Sequence, residues 1–283
     1  MKLLRYVTRS GAEGHGLLIE TEIYPLIHMT TTEALDRLKE GDHQWEKILQ
    51  QSPIPLSEVT LLPPVECPGA FLDFYTFEGH VRTARKKRGL DIVPEWYEFP
   101  VWYNGSTRCF SGDSTTVHFP ENENKKDYEL ELAIVMKKTC HGIGIEEAAD
   151  YIGAYTVVND FSARQLQEKI MKVGLGPAKA KDFNTGLGPW LVTPEEIPDP
   201  RSLNMRAWVN GKLWSEGNSG SSHFTFAQMI AFASENQTLY PGDILASGTV
   251  GTGCGLEQDR FLQTGDKVEL EIERIGRLTH WVG

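Results

Sequence analysis

The chain has 283 residues, 40% of them apolar, which is enough for one large hydrophobic core with a small appendage. A formal net charge of −11 argues against nucleic acid or an anionic membrane surface as a partner, since the one basic cluster, Arg82-Thr-Ala-Arg-Lys-Lys-Arg88, is short. No apolar run approaches the roughly 18 residues of a membrane span. Four cysteines, Cys67, Cys109, Cys140 and Cys254, lie far apart without C-x-x-C spacing, so reduced thiols are expected. The opening Met-Lys-Leu-Leu-Arg-Tyr-Val lacks the apolar run of a secretory signal, and a cytoplasmic location is expected.

Residues 1–60 read as a small separate α/β unit. Leu3 to Val7 and Gly16 to Glu20 have strand character, while Thr32 to Glu40 and Asp42 to Gln51 are amphipathic helices, the first opened by capping threonines. Pro53, Pro55, Pro63 and Pro64 then mark a linker over Ser52 to Pro68 with one strand in it. From residue 61 onward the pattern is β-rich. An apolar run reaches Asp73 and Tyr75, and His80 follows at a turn or helix start. Trp96 to Tyr103 concentrates aromatic residues suited to core, pocket wall or subunit contact. Further strands are expected at Thr115 to Phe119, Trp190 to Thr193, Met205 to Val209 and Val268 to Arg274, with Asn210-Gly211 as a hairpin turn. A helix over Thr225 to Asn236 places Phe226, Met229, Ile230 and Ala233 on one face, as core packing requires. The expected class is α+β, β-rich.

The stretch Lys126-Asp-Tyr-Glu-Leu-Glu-Leu-Ala-Ile-Val-Met136 carries the chemistry. As a strand it sends Leu130, Leu132, Ile134 and Met136 to one side and Glu129, Glu131, Ala133 and Val135 to the other. Both faces are mostly apolar, so either the strand is half-exposed with its two glutamates outward or they enter a covered space, where carboxylates need a cation. A second β-rich run, Tyr151 to Asp160, ends on Asn-Asp. Asp160 can cap the helix expected over Ser162 to Lys172 or join Glu129 and Glu131 as oxygen ligands of a hard ion such as Mg²⁺, Mn²⁺ or Ca²⁺. Lys181 is either a surface charge or, beside those carboxylates, an electrostatic catalyst. The Gly-rich loop Ser247 to Gly255 lacks the pattern of a P-loop or a dinucleotide fingerprint.

The order Asp73-Phe-Tyr75 with His80, Phe99-Pro-Val-Trp-Tyr103-Asn-Gly, Glu129-Leu-Glu131, Asn159-Asp160-Phe-Ser-Ala-Arg164, Lys181-Asp-Phe-x-Thr185 and Ser247-Gly-Thr249 resembles the fumarylacetoacetate hydrolase (fumarylacetoacetase) family over residues 61–283, with 1–60 similar to the small N-terminal domain of many members. The resemblance implies a mixed β-sandwich/β-roll catalytic domain and a homodimer. It also implies a metal site of Asp73, Glu129, Glu131 and Asp160 for Mg²⁺, Mn²⁺ or Ca²⁺. In the same terms His80 is the general base, oriented by Glu257, and Arg164, Gln167 and Lys181 stabilise an oxyanion. Tyr75, Arg88, Tyr103, Thr185 and Thr249 correspond to substrate contacts. Met171 stands where fumarylacetoacetase has a carboxylate-binding tyrosine, and Thr83 where other members place a lid glutamate. The implied reaction is hydrolysis of a C–C bond in an acylpyruvate or β-diketone acid. The alternative on the same fold is a metal-dependent lyase, either a 2-oxo acid decarboxylase or a 2-keto-3-deoxy sugar acid dehydratase.

Overall fold

Two β-sheets carry the molecule in the computed structural model, which describes residues 1–283. The larger has 12 strands and runs, edge to edge, through Ile54–Pro55, Glu22–Pro25, Glu13–Ile19, Lys2–Thr8, Thr185–Val192, Ile152–Asp160, Leu130–Met136, Ile244–Ala246, Phe71–Phe74 and Trp102–Asn104, with Val59–Leu62 and Phe110–Ser111 attached beside it. Leu130–Met136 and Ile152–Asp160 lie near its middle and are buried along their whole length. Burial on both faces accounts for their nearly continuous apolar sequence. The smaller sheet, of Lys212–Asn218, Asn204–Val209, Lys267–Ile272, Gly276–Val282 and Thr115–Val117, keeps one face wet and alternates accordingly. Met205, Ala207, Leu270 and Leu278 from its inner face join Leu132, Ile134 and Val157 of the large sheet in one core cluster.

Local signals in the chain are realised where they conflict with nothing else. Asn210 and Gly211 take φ of 52° and 72°, the left-handed pair of a two-residue hairpin turn. Thr225 caps the helix Phe226–Ser234 in a reciprocal box with Gln228, and Thr30 does the same with Glu33 for Thr31–Arg37.

Residues 1–60 share a sheet with the rest of the chain, since Lys2–Thr8 pairs with Thr185–Val192 through Lys2↔Val192 and Leu3↔Leu191. That pairing satisfies backbone groups which an open strand edge would expose. Leu3, Leu17, Ala34 and Leu35 share a core cluster with Ala133, Val158 and Leu191, which makes the junction apolar as well as hydrogen-bonded. The helix expected from Ser162 begins only at Arg164, since Ser162–Ala163 forms a short ladder with Lys126–Asp127. Its first-turn N–H groups, those of Gln165 and Leu166, donate to Glu123. Asp160 therefore does not cap the helix.

No helix is long and apolar enough to cross a membrane. His280 is a buried titratable group of the core, its Nε2 3.1 Å from Ser111 Oγ and its Nδ1 without a partner. Burial pushes it down to about 3. A folded-state value below the unfolded one, near 6.5, means that the unfolded chain takes up the proton first as pH falls. The associated stability is complete above about pH 6.5 and drains toward pH 3, at up to ~1.4 kcal/mol per pH unit. Urea midpoints from pH 7.5 to 4.5 are expected to fall more steeply for the wild type than for His280→Gln, and parallel curves would refute this account.

Candidate active site

Register across the middle of the large sheet gathers the acidic side chains. Asp73 pairs with Tyr103 on one side and Ala246 on the other, and Ala246 leads directly into the Ser247–Gly255 loop. Glu131 sits opposite Val158 on the next strand, and Asp160 closes its own strand opposite Thr185. Asp73 is level with Ala133 through Ala246, so the three acids are offset by two residues from strand to strand and meet as diagonal neighbours on one face of the sheet. One carboxylate oxygen each from Asp73, Glu131 and Asp160 lie within 4.8 Å of one another, all buried. Glu129, one residue ahead of the Leu130–Met136 strand, is not part of this trio. Its Oε1 accepts from Arg164 Nη2 at 2.7 Å, and Lys181 Nζ bridges its other oxygen to Asp160.

Each remaining side chain has a definite local cause. Glu131 is held by the Gly248 N–H at 3.1 Å and the Thr249 hydroxyl at 3.2 Å. Gly248 permits this because its φ is +81° and a Cβ there would meet Phe74 O at 2.4 Å. The Gly-rich loop thus spends an N–H on a protein carboxylate. His80 lies in the first turn of the helix Glu78–Lys87, with Nδ1 3.0 Å from Glu257 Oε1 and Nε2 3.8 Å from Glu129 Oε1. Tyr103 donates toward Asp160 at 3.3 Å. Gln167, one turn after Arg164, accepts from Arg164 Nη1 at 2.9 Å. The Tyr75 ring meets the His80 ring edge-on, with centroids 5.5 Å apart.

A cavity of about 970 Å³ opens onto this cluster. Asp73, Tyr75, His80, Arg88, Tyr103, Glu129, Glu131, Arg164, Gln167, Lys181 and Thr249 line it. Three anticipated residues do not. Asp160 is fully buried behind the wall. Glu257 stands behind His80, and Thr185 is buried at its strand end with Oγ1 3.9 Å from Cys109 Sγ. Met171, Leu256 and Phe261 add apolar surface to a lining that also includes Lys125, Glu168 and Lys172.

Sequence reasoning passed over Asp127. This fully buried carboxylate accepts from Arg164 Nε at 2.8 Å and from the Gly255 and Leu256 N–H groups at 2.7 and 3.0 Å. It ties the arginine to the short helix Gly255–Gln258 that carries Glu257. Period-two alternation, which places Asp127 on the side of Glu129 and Glu131, was the available signal. Cys254 was also passed over. It forms a backbone bridge with Glu129, and its Sγ is 3.9 Å from His80 Nδ1.

The cluster is electrostatically lopsided. Five buried carboxylates, Asp73, Asp127, Glu129, Glu131 and Asp160, face two buried cations, Arg164 and Lys181. Burial, then Glu131 and Asp160, push Asp73 well above the usual carboxylate range. Burial, then Glu129 and Asp160, do the same to Glu131. Asp160 is pushed up to about 6 by burial, with Lys181 pulling against it. Burial opposes ionisation of Glu129 too, but Lys181, Arg164 and His80 outweigh it and hold that group below the usual range. Asp73 Oδ1 has no hydrogen-bond partner at all. An all-oxygen trio with excess negative charge and an orphaned ligand atom fits a hard divalent cation.

Comparison with known proteins agrees with this architecture. The model of the fumarylacetoacetate hydrolase C-terminal domain matches residues 70–283. A 2,4-didehydro-3-deoxy-L-rhamnonate hydrolase of Sphingomonas sp. (strain SKA58) is 37% identical over 179 residues, 62% of each chain, so the match spans under two thirds of that relative's length. The structure of maleylpyruvate hydrolase from Sphingobium sp. SYK-6 in complex with manganese(II) and pyruvate superposes with a TM-score of 0.79 at 25% identity, covering 100% of this chain and 98% of the other. A 5-carboxymethyl-2-hydroxymuconate delta-isomerase from Mycobacterium smegmatis does so at 0.78 and 24%, covering 100% and 99%. A matched family model spanning most of its length, over the fold described above, makes this chain a member of the fumarylacetoacetate hydrolase family.

Proposed function

We propose that the chain is a divalent-metal-dependent hydrolase that cleaves the C–C bond of an acylpyruvate or β-diketone acid. The observation that carries this reading is the His80–Glu257 pair, 3.0 Å apart, set beside a carboxylate trio of which Asp73 and Glu131 line a large cavity. A decarboxylase or dehydratase has less use for a base with its own carboxylate partner, because no water has to be activated. The pyruvate and manganese named with the Sphingobium hydrolase, and the 2,4-didehydro-3-deoxy acid named for the Sphingomonas relative, support this substrate class.

Asp73, Glu131 and Asp160 would hold the cation, with Glu129 beside them. When bound, the ion supplies the positive charge that polarises the keto oxygen and tolerates an enolate leaving group. The residues of the chain do the rest. Glu257 accepts Nδ1–H of His80, fixing the tautomer whose Nε2 lone pair can take a proton from water near Glu129. Lys181 keeps its charge because Asp160 and Glu129 outweigh the desolvation that opposes it. It therefore remains a cation at neutral pH and can offset the oxyanion that forms when water adds. Arg164 directs its Nε and both terminal nitrogens to Asp127, Glu129 and Gln167, so its role is to orient Glu129 and Gln167. Gln167 then has its amide N–H groups available to a substrate oxygen. Arg88 enters no ion pair and lines the cavity, where a second acidic group of the substrate can meet it.

Asp73→Asn removes one of the crowded charges. The variant is expected to melt higher than wild type in chelator, by an amount equivalent to about 1–2 kcal/mol, and to lose the stabilisation that Mg²⁺ or Mn²⁺ gives the wild type. A wild-type melting point that responds to neither ion would refute the metal site.

His80→Asn is expected to lower kcat by ~10²–10⁴ with little change in the ion's effect on melting temperature, since a general base acts in the transition state. Turnover of an acylpyruvate in ¹⁸O-labelled water is expected to place label in the newly formed carboxylate. Release of CO₂, or an unlabelled acid skeleton, would replace the hydrolase by a lyase.

A further inference from the structure

Directly behind the proposed base lies a second group of metal-ligating atoms that the hydrolytic reading does not use. His80 Nδ1, Cys254 Sγ and a Glu257 carboxylate oxygen lie within 4.8 Å of one another. Nδ1 is 3.0 Å from Glu257 Oε1 and 3.9 Å from Cys254 Sγ. Those separations suit atoms that a single cation about 2.0–2.3 Å from each would bridge. Cys254 is fully buried, and the side chains of His80 and Glu257 are only 5% and 4% exposed. Glu257 Oε2 is buried without any hydrogen-bond partner, so the carboxylate holds unused ligand capacity. The donor set is imidazole, thiol and carboxylate, in contrast to the all-oxygen trio on the other side of the imidazole.

We propose that His80, Cys254 and Glu257 form a thiophilic metal site that takes Zn²⁺, or another borderline-to-soft divalent ion, and switches the enzyme off. Binding converts the Cys254 thiol to a thiolate and releases its proton to solvent, so that thiolate and carboxylate together neutralise the ion. Coordination takes the Nδ1 lone pair of His80, and the neutral ring must then carry its proton on Nε2. That nitrogen faces Glu129 and can no longer accept a proton from water. Hard ions avoid the site because a thiolate and an imidazole do not replace the oxygen shell of Mg²⁺, whereas Zn²⁺ favours both donors. Of the three residues only His80 lines the cavity, so loading requires local opening and is slow. The inhibition rests on the hydrolytic role given to His80, but the binding does not.

The test uses the intact protein. Co²⁺, a spectroscopic stand-in for Zn²⁺, is added after chelator treatment and removal of the chelator. One equivalent is expected to give a thiolate-to-cobalt charge-transfer band in the near ultraviolet, present in wild type and in Asp73→Asn but absent in Cys254→Ser and Cys254→Ala. In turnover with saturating Mg²⁺, Zn²⁺ preincubation is expected to inhibit the wild type, with no relief from further Mg²⁺. Either cysteine variant is expected to keep its Mg²⁺-supported rate and to need more than about tenfold more Zn²⁺ for the same inhibition. A wild type without the band, a band that survives in both cysteine variants, or zinc inhibition that yields to excess Mg²⁺ overturns the proposal. A wild type that shows the band but no hydrolase activity supports this site and refutes the reaction assigned above.

Discussion

The central part of this structure depends on an imbalance of buried charge. Asp73, Asp127, Glu129, Glu131 and Asp160 are all withdrawn from water, and only Arg164 and Lys181 answer them within the cluster. An uncompensated buried carboxylate is costly enough to neutralise itself by taking a proton, and the upward push on Asp73 and Glu131 is that response. Folding tolerates the arrangement because four of the five acids are restrained by donors of the chain, Asp73 being the exception. Glu131 is pinned by Gly248 and Thr249, Asp127 by the Gly255 and Leu256 N–H groups, and Glu129 and Asp160 by Lys181. A divalent ion at the trio would complete the neutralisation, and its binding would then be coupled to the native packing of the strands.

The surrounding elements can be read as supports for that cluster. Glu123 satisfies the first turn of the helix Arg164–Met171, which fixes where the arginine emerges. Asp127 then couples that arginine to the helix bearing Glu257, so the groups on either side of Glu129 share one buried anchor. His80 stands between two chemical environments, with Glu257 and Cys254 at Nδ1 and Glu129 nearest Nε2. Which nitrogen of a neutral imidazole carries the proton is settled by what binds the other, so the neighbours of Nδ1 bear on what Nε2 can accept.

The N-terminal strands contribute to the same rigidity from a distance. Lys2–Thr8 seals an edge of Thr185–Val192, the strand that pairs with Ile152–Asp160 and so flanks Asp160 itself. Paired strands on both sides hold the Asp160 carboxylate near Glu131 more firmly than a loop could. The cavity, in contrast, is walled partly by helix ends and loops, where Met171, Leu256 and Phe261 sit, and substrate preference within a family resides in such segments.

Much of this was legible in the chain. The alternation through Glu129 and Glu131, the abrupt Asn-Asp at residue 160, and the ordered motifs around Asp73, His80, Lys181 and Thr249 identified the family and named the acids that cluster, because period and residue type are local properties. The Asn210-Gly211 turn and the Thr225 cap were equally local and were found in place. Other features required the fold. Whether Asp160 capped a helix or faced the cluster depended on Glu123, 37 residues away. The separation of Glu129 from the trio, the use of Asp127 as an anchor, and the exclusion of Thr185 from the cavity follow from strand register and from which donors arrive first. The meeting of Cys254 with His80 and Glu257, across 174 and 177 residues of chain from the histidine, has no sequence signature at all. Composition and periodicity determine which residues a strand can bury, but partners between distant strands and loops are decided only when the sheet closes and every buried polar group must find a neighbour.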